Sequence, residues 1–203
     1  MSKIEDTKKI ILKESNINVI LYDNEKYLGI IVNNKSDIVS IIKFLNDNDK
    51  LFFKQLIDIT AIDYPSRELR FEIVYLLISL KLNQRILVKT SINENDNIES
   101  ISSIHKNANW YERECYDLFG INFLNHPDLR RIMTDYNFEG HPLRKDFPLS
   151  GYTEVRYNED RKKVISEPVK LDQEYRDFDF ESPWDGTKYI KTETQKNKTN
   201  DKR

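Results

Sequence analysis

The 203-residue sequence contains one cysteine, five glycines and no long apolar run. A single cysteine, Cys115, excludes an intramolecular disulfide and a metal centre built from several thiolates of this chain. The glycines are not clustered, so the sequence lacks a glycine-rich phosphate-binding loop. The longest apolar run, Ile73–Leu80, is far shorter than the ~20 residues that a membrane-spanning helix needs. These deficits argue against a disulfide-stapled, nucleotide-binding or membrane-spanning protein.

The charges of the chain are nearly balanced, with 32 basic and 34 acidic residues and a formal net charge of −2. Nucleic-acid-binding proteins usually carry a basic excess, so the balance argues against that class. The 11 Tyr, 10 Phe and 2 Trp residues are too many for an acidic disordered chain. Residues 1–6 resemble neither an apolar secretory signal nor an acid-poor transit peptide, so we expect the protein to stay in the compartment where it is made.

The first hundred residues show alternating strand and helix patterns. They predict helices at Ile4–Leu12 and from Ser36 or Asp37 through Ile38, Ile41, Ile42 and Leu45, and strands at Val19–Tyr22, Tyr27–Val32, Phe53–Ile62, Arg70–Leu82 and Arg85–Ile92. One face of the third strand is expected to hold Phe53, Ile57, Ile59 and Ala61. A short helix is predicted to hold Ile98, Ile101 and Ile104. Because the strands are joined as hairpins, we predict an α+β fold, a mostly antiparallel sheet with helices packed on one side.

The stretch Ala108–Gly120 predicts a short and strongly charged helix. Asn109 is the expected N-cap, Glu112 would complete a capping box, and Gly120 would end the helix in a left-handed conformation. The predicted buried face consists of Tyr111, Cys115, Leu118 and Phe119. We interpret Cys115 as a small buried residue, since a reactive thiolate would need an accessible, electropositive site.

The remaining surface of this helix is predicted to carry Glu112, Arg113, Glu114 and Asp117. Arg113 and Asp117 are four residues apart and could pair on the helix surface. Two residues apart on a helix, Glu112 and Glu114 point about 200° away from each other and cannot converge on one bond. The charges therefore favour an interface or an intrachain ion-pair role over acid–base catalysis.

After residue 121 the periodicity ends while apolar residues persist. Prolines recur at Pro127, Pro142, Pro148, Pro168 and Pro183. A flexible linker would not carry so many aromatic residues, so we predict extended chain buried against another protein. Residues 188–203 are almost entirely polar and are predicted to be disordered. The predicted organisation is an α+β domain at 1–121, a partner-binding segment at 122–187 and a polar tail at 188–203.

A metal site could be proposed from His126, His141, Glu112 and Asp117, but the histidines are scattered and lack metal-binding spacing. Four basic residues, Arg130, Arg131, Arg144 and Lys145, could bind phosphate, although nearby acids make protein carboxylates the favoured partners. From the residues alone, the leading interpretation is a non-catalytic subunit with a large binding surface.

Several motifs resemble those of a known family. Glu112-Arg113-Glu114 and Asp117-Leu118-Phe119, followed by His126, Arg130 and Ile132-Met133, are similar to the characteristic motif of the 30-kilodalton subunit of respiratory complex I. Gly140–Leu149, with His141, Arg144, Lys145 and Asp146, resembles the second long motif of the family, and Phe178–Trp184 resembles its C-terminal end. Ile59–Pro65, Asn83–Thr90 and His105–Trp110 match as well. The resemblance covers about Ile17 to Gly186.

The resemblance implies a non-catalytic core subunit of the peripheral arm of the proton-translocating NADH:ubiquinone oxidoreductase, needed for assembly and stability of its quinone-reducing module. It implies contacts with the 49-kilodalton subunit and with neighbouring iron–sulfur subunits, no cofactor in this chain, and FMN and iron–sulfur clusters in the partners. The implied interface or structural residues are Glu112, Arg113, Glu114, Asp117, His126, Arg130, His141, Arg144, Lys145, Asp146 and Trp184. The implied location is the matrix side of the mitochondrial inner membrane or the cytoplasmic face of a bacterial one, and the AT-biased composition favours the mitochondrially encoded form.

Two other classes are compatible with single features of the chain. A stand-alone hydrolase would use His126 or His141 with the nearby acids. A nucleic-acid-binding module would use the aromatic residues for base stacking, and the balanced charge predicts little salt-dependent affinity for it.

Overall fold

The computed structural model describes residues 3–23 and 27–171 of the chain. The helices in these ranges are α1 (Lys3–Glu14), α2 (Ile38–Asp47), which follows a short 3-10 helix (Lys35–Asp37), and α3 (Ala108–Phe119). The strands are β1 (Val19–Asp23), β2 (Leu28–Val32), β3 (Gln55–Asp63), β4 (Phe71–Ser79), β5 (Gln84–Ile92), β6 (Asn97–Glu99), β7 (Asn122–Leu124), β8 (Thr153–Asn158) and β9 (Lys163–Pro168). The described residues up to Tyr152 form one compact unit, and those from Thr153 onward belong to a second.

The main sheet of the first unit has the strand order β1-β2-β5-β4-β3. The neighbouring pairs β1–β2, β4–β5 and β3–β4 are antiparallel, whereas β2 and β5 are parallel, with Leu28 opposite Ile86 and Val32 opposite Thr90. This parallel pair forms because α2 and the β3–β4 hairpin separate its strands along the chain. The predicted α+β fold with a mostly antiparallel sheet is confirmed.

One face of this sheet builds the hydrophobic core. On β4, Phe71, Ile73, Tyr75 and Leu77 are fully buried. Ile11 of α1, Ile38 of α2 and Cys115 of α3 belong to the same buried cluster, so all three helices contribute to it. The α2 periodicity predicted from the sequence is confirmed by the complete burial of Ile38, Ile41, Ile42 and Leu45. Fully burying each such aliphatic side chain stabilises the fold by roughly 1.5–3 kcal/mol.

The face predicted for β3 was wrong at one position. Leu56 is buried together with Ile59 and Ala61, and Ile57 is only half-buried. The pairing with β4 shifts between Leu56 and Asp58, which marks a β-bulge. The extra residue breaks the two-residue alternation on which the prediction relied.

The predicted helix with Ile98, Ile101 and Ile104 was wrong as well. Ile98 lies on β6 and pairs in parallel with Phe123 of β7, while Ile101 and Ile104 lie in the turns that follow. All three isoleucines nevertheless face the core, Ile104 less completely than the other two. Their helical spacing therefore reflects burial, and the partner strand lies too far along the chain for a local pattern to indicate it.

The start of α2 differs from the prediction in its capping contact. Asp37 occupies the N-cap position but its side chain makes no capping hydrogen bond. Instead, the Asn34 side chain accepts from the Ser36 backbone N–H at 3.3 Å and caps the preceding 3-10 turn.

Helix α3 covers the edge strand β3. The Asn107 side-chain amide donates to the Leu56 carbonyl at 2.9 Å, and the Cys115 thiol donates to the Ile59 carbonyl at 3.4 Å. These contacts occupy backbone carbonyls of a strand that has no sheet neighbour on that side among the described residues. Within the same part of the chain, no helix is long and apolar enough to cross a bilayer.

The thiol of Cys115 offers a clean test of this packing, because it is 1% exposed and burial raises its pKa. We expect a thiol reagent such as dithiobis(nitrobenzoic acid) to label Cys115 of the native chain no faster than local or global unfolding exposes the thiol. In urea, one thiol per chain should react at once. Rapid stoichiometric labelling in native buffer would contradict the packing of α3 on β3.

Candidate functional site

Three charged residues of α3 are buried in the structure. Glu112 and Asp117 are fully buried and Arg113 is 7% exposed, so the prediction that they lie on the helix surface was wrong. Charged groups are rarely buried without partners. Each of the three finds its partners in loops that come before or after the helix, and Glu114 is half-buried.

Asp117 is the most heavily bonded of the three. One carboxylate oxygen accepts the backbone N–H groups of Ile132, Met133 and Thr134 at 2.9, 2.6 and 2.9 Å. The other oxygen accepts the Thr134 hydroxyl at 2.6 Å and the Arg131 guanidinium at 2.9 Å. The predicted pairing of Asp117 with Arg113 was wrong, because the carboxylate turns toward residues 131–134 and Arg113 binds backbone carbonyls instead.

These bonds determine the charge state of Asp117. Burial raises the pKa of its carboxyl group, but the hydroxyl and backbone N–H donors of the 132–134 loop outweigh burial and bring the pKa to about 2. The group is therefore a carboxylate at any physiological pH, and the loop is folded around a permanent negative charge.

Arg113 binds backbone carbonyl groups of the same loop. Its guanidinium donates to the Arg130 carbonyl at 3.1 Å and to the Arg131 carbonyl at 3.3 Å, and it lies 5.1 Å from the centre of the Trp110 ring. A cation of α3 thus binds carbonyls and an anion of α3 binds N–H groups of consecutive residues. Together they fix a loop that forms no strand or helix of its own.

The C-terminal end of α3 binds a second part of the chain. Gly120 ends the helix with φ of 78°, as predicted, and its N–H returns to the Tyr116 carbonyl at 2.9 Å. The next carbonyls receive donors from residues 141–144: His141 Nδ1 to Asp117 at 2.8 Å, Leu143 N to Leu118 at 3.0 Å and Arg144 Nε to Phe119 at 2.6 Å. A helix normally leaves these carbonyls without partners, and the guanidinium also suits the negative end of the helix dipole.

Residues after Arg144 are held from the sheet. Arg70 binds Asp63 through two parallel hydrogen bonds of 2.8 and 3.0 Å, and Asp63 also accepts the Lys145 backbone N–H at 2.7 Å. The Arg70 guanidinium lowers the pKa of the buried Asp63 carboxyl. Arg70 bonds Asp146 at 3.0 Å as well, so a single arginine connects the β3–β4 hairpin with residues 145–146.

The predicted carboxylate partners of the basic residues are present for three of the four. Arg130 pairs with Asp128, Arg131 with Asp117 and Arg144 with Glu94. Lys145 contributes its backbone N–H.

Glu112 lies in a different environment from Asp117. Its carboxyl group accepts the Ser100 hydroxyl at 2.6 Å and the Ile101 N–H at 2.7 Å, and the His126 ring nitrogen lies 3.7 Å away. Burial raises the pKa of Glu112 to about 7, and the two hydrogen bonds offset only part of this rise. The capping box predicted for Asn109 and Glu112 was wrong.

The actual start of α3 explains that error. The helix begins at Ala108, with Asn107 in the N-cap position and no side-chain cap. Glu112 instead binds the turn after β6, which comes from an earlier part of the chain.

Both histidines of the candidate site hold loops. His126 bonds the Asn109 carbonyl through Nε2 at 3.1 Å and accepts the Asp128 N–H at Nδ1 at 3.1 Å. His141 donates to the Asp117 carbonyl. Ser100, Glu112 and His126 lie together, but the carboxyl group stands between the hydroxyl and the imidazole. This order cannot activate Ser100 as a nucleophile.

We call residues 126–152 the anchored segment, because α3 binds its residues 130–134 and 141–144, and Asp63 and Arg70 bind its residues 145 and 146. The ring of Phe147 contacts those of Phe138 and Tyr152, with ring-centre distances of 5.7 and 5.5 Å. We give the name apolar rim to the exposed apolar residues of this segment, which are Met133, Tyr136, Leu143, Leu149 and Tyr152. Tyr136 and Leu149 are each 92% exposed. Large apolar side chains on a fixed loop are typical of a protein-binding surface.

Some members of this network were not singled out as site residues from the sequence. Asp63, Arg70, Glu94, Ser100 and Thr134 join the candidate residues through contacts between distant parts of the chain. Asp63 lies within the run Ile59–Pro65, which carried part of the family resemblance and was the available signal. Trp184 lies outside the described residues. Within residues 3–23 and 27–171, no group of three or more His, Cys, Asp and Glu side chains could hold a metal ion.

Comparisons with known proteins agree on one family. The family model described as the respiratory-chain NADH dehydrogenase 30-kilodalton subunit matches residues 31–153. The C subunit of NADH-quinone oxidoreductase from Cereibacter sphaeroides (strain ATCC 17029 / ATH 2.4.9) is 57% identical over 153 residues, covering 75% of this chain and 76% of that protein. The protein of the same name from Brucella ovis is 53% identical over 165 residues, covering 81% and 82%.

One solved structure is similar as well. It is a chain of the membrane-bound sulfane sulfur reductase, described as an archaeal respiratory membrane complex. The TM-score is 0.60 at 25% sequence identity, and the match covers 80% of this chain and 98% of that one.

Replacing Asp117 by Asn tests the anchor. The amide has one acceptor oxygen and directs its own N–H groups at the donors of the 131–134 loop, so we expect a loss of roughly 3–5 kcal/mol in the free energy of unfolding at pH 7. The wild-type carboxyl has a pKa below its ordinary value, so its stabilisation is present above about pH 3.8 and is lost as the pH falls toward 2. Urea unfolding from pH 7 to pH 2 should show a larger loss in the wild type than in Asp117→Asn, because the other acids with a lowered pKa, such as Asp63, are present in both chains.

Asp128→Asn is the matched control, because Asp128 is an exposed acid that pairs with Arg130. We expect its free energy of unfolding to change by less than about 0.5 kcal/mol. Equal stability of the two variants would show that Asp117 does not anchor the loop.

Proposed function

The chain belongs to the family of 30-kilodalton subunits of the respiratory-chain NADH dehydrogenase, and from this membership we propose that it is a non-catalytic core subunit of NADH:quinone oxidoreductase. It is then part of an enzyme complex and works in the respiratory chain. Its role is the assembly and stability of the quinone-reducing module in the peripheral arm.

The anchored segment is the observation that carries the proposal. The buried Arg113 and Asp117 bind residues 130–134 and are not presented to a substrate, and the carbonyls at the end of α3 bind residues 141–144. These contacts fix the backbone at Met133 and Leu143 of the apolar rim. A surface of this kind favours binding to another protein, because docking buries apolar area while little loop entropy is lost.

The partner proposed for this surface is the 49-kilodalton subunit, with the neighbouring iron–sulfur subunits next to it. FMN and the iron–sulfur clusters are proposed to belong to these partners. For the iron–sulfur clusters, support comes from the chemistry of Cys115, the only thiol of the chain, which is buried on the core side of α3 with a raised pKa. Metal ligation requires a thiolate, which this environment disfavours.

The proposed location is the surface of a respiratory membrane, as a peripheral subunit of the complex. The Cereibacter and Brucella relatives are bacterial proteins and support the membrane-associated complex. The mitochondrial inner membrane stays a prediction that rests on composition, with the cytoplasmic face of a bacterial inner membrane as the alternative.

The double variant Tyr136→Ser/Leu149→Ser tests the binding surface. Both side chains are 92% exposed, so the free energy of unfolding of the isolated chain should change by less than about 0.5 kcal/mol. The amount of assembled complex should fall several-fold because the docked rim loses apolar contact. Native gels stained for NADH dehydrogenase activity measure the amount, and quinone reduction per assembled complex should stay unchanged.

Leu80→Ser is the control, since Leu80 is 73% exposed and lies just after β4, away from the rim in sequence. It should leave assembly at the wild-type amount. Normal assembly of the double variant would refute the rim as the interface, and altered turnover of the remaining complex would contradict a purely assembling role.

A further inference from the structure

Glu112 is connected to the protein surface by two serine hydroxyl groups. Its carboxyl group contacts Ser100 Oγ at 2.6 Å, and Ser100 Oγ contacts Ser102 Oγ at 2.7 Å. Exposure increases along this row, because Glu112 is fully buried, Ser100 is 7% exposed and Ser102 is half-buried. The row thus joins a carboxyl group in the core to a hydroxyl at the surface.

Both charge states of Glu112 fit this row without movement of heavy atoms. As a carboxylate, it accepts the Ser100 proton, and Ser100 accepts from Ser102. As a carboxylic acid, it donates to Ser100, which donates to Ser102, since a hydroxyl can serve as donor and acceptor. The Ile101 N–H donates to the other carboxyl oxygen in either state. Asp117 is more restricted, because four of its five partners are N–H groups that can only donate.

The groups that face Glu112 carry no fixed positive charge. His126 accepts the Asp128 N–H at Nδ1, so its proton is on Nε2 and the ring is neutral. The Tyr75 hydroxyl of β4 and the Cys115 thiol of α3 also interact electrostatically with Glu112. Burial raises the pKa of both groups, so they are neutral too. Among the described residues, His126 is the one basic side chain within 4.0 Å of the Glu112 carboxyl oxygens.

We propose that Glu112 is a buried proton-binding site, loaded from solvent through the Ser102 and Ser100 hydroxyls, and that its proton decides the position of the His126 ring. On loading, a hydronium ion gives a proton to Ser102 and becomes water, Ser102 passes its own proton to Ser100, and Ser100 passes its own to the carboxylate. One proton enters and no electron moves. Burial, which raises the pKa of Glu112 to about 7, supports exchange of this proton at physiological pH.

The His126 ring responds because its Nε2–H lies between two acceptors. The Asn109 carbonyl is 3.1 Å away and the Glu112 carboxyl oxygen 3.7 Å away. A neutral Glu112 leaves the N–H on the carbonyl, whereas a charged one attracts it. His126 also holds the Asp128 N–H at the start of the anchored segment, so the proton on Glu112 biases where that segment begins.

The test is a carbon-13 titration of the full chain with labelled glutamate carboxyl groups, followed by NMR from pH 5 to pH 9. We expect one glutamate resonance with a midpoint near 7 that is missing in Glu112→Gln. The His126 ring resonances should shift with the same midpoint. Glu114→Gln, a substitution on the same helix, should leave this titration in place.

Ser100→Ala tests the hydroxyl row and does not require the Gln variant to fold. Removal of the hydroxyl takes a hydrogen bond from both forms, but the bond to the charged form is the stronger one, so the midpoint should rise by about one unit or more. Ser102→Ala keeps the direct donor and should move the midpoint less. Three results would overturn the proposal. They are a Glu112 midpoint between 4 and 5, an unchanged midpoint in Ser100→Ala, and His126 ring resonances that do not shift with the Glu112 titration.

The stability of the chain gives an independent readout. The folded pKa of Glu112 is above its ordinary value of 4.5, so its stabilisation is complete below pH 4.5 and is lost as the pH rises through 7. Urea midpoints should therefore decline across this window in the wild type and decline less in Glu112→Gln. Parallel curves for the two chains would contradict the proposal. All of these measurements use the isolated chain. Their outcomes therefore do not depend on whether the proposed function in complex assembly is correct.

Discussion

The carboxylate of Asp117 is the interaction on which the anchored segment depends. It accepts five hydrogen bonds while fully buried, three of them from consecutive backbone N–H groups. An ionised acid is retained in a protein interior only when donors replace its hydration, and here the donors are a loop that lacks other regular partners. The buried carboxylate therefore requires the loop as its donor, and the N–H groups of the loop require the carboxylate as their acceptor. The exposed rim follows from this pairing, since Met133 is one of the residues whose N–H the carboxylate binds.

Asp117 and Glu112 lie on the same helix, but their pKa values are shifted in opposite directions because different groups surround them. Asp117 accepts five hydrogen bonds and its pKa falls, whereas Glu112 accepts two beside a neutral imidazole and its pKa rises. Asp117 keeps its negative charge and can therefore hold the loop at all physiological pH values. Glu112 can gain or lose a proton and can therefore change the position of the His126 ring. Both face away from solvent on a helix whose thiol side closes the edge of the sheet.

Periodicity predicted the elements whose burial is set by one continuous face. The Ile38–Leu45 helix and the strand through Phe71–Leu77 follow directly from apolar spacing. The bulge near Ile57 could not be predicted, because it depends on how β3 pairs with β4. Ile98 was misassigned because its partner Phe123 lies on a strand that follows α3.

The candidate site was predicted in part. Gly120 and the burial of Cys115 were available from helix capping and helical spacing, and the family motifs indicated most of the charged residues. The burial of these charged residues was not predicted, because a charged residue on a helix is normally expected to face solvent. The partners of Asp117 lie 14 to 17 residues later in the chain, at a distance that local spacing does not connect. The predicted binding of residues 122–187 to a partner, and the role of Trp184, stay predictions.

Amide hydrogen exchange of the free full-length chain tests most directly whether the anchored segment is built before any partner arrives. The hydrogen bonds to Asp117 and to the end of α3 predict slow exchange at Ile132, Met133, Thr134 and Leu143 in the isolated protein, similar to that in the assembled complex. Exchange at these amides as fast as in an unfolded peptide, with protection appearing only after assembly, would contradict the account.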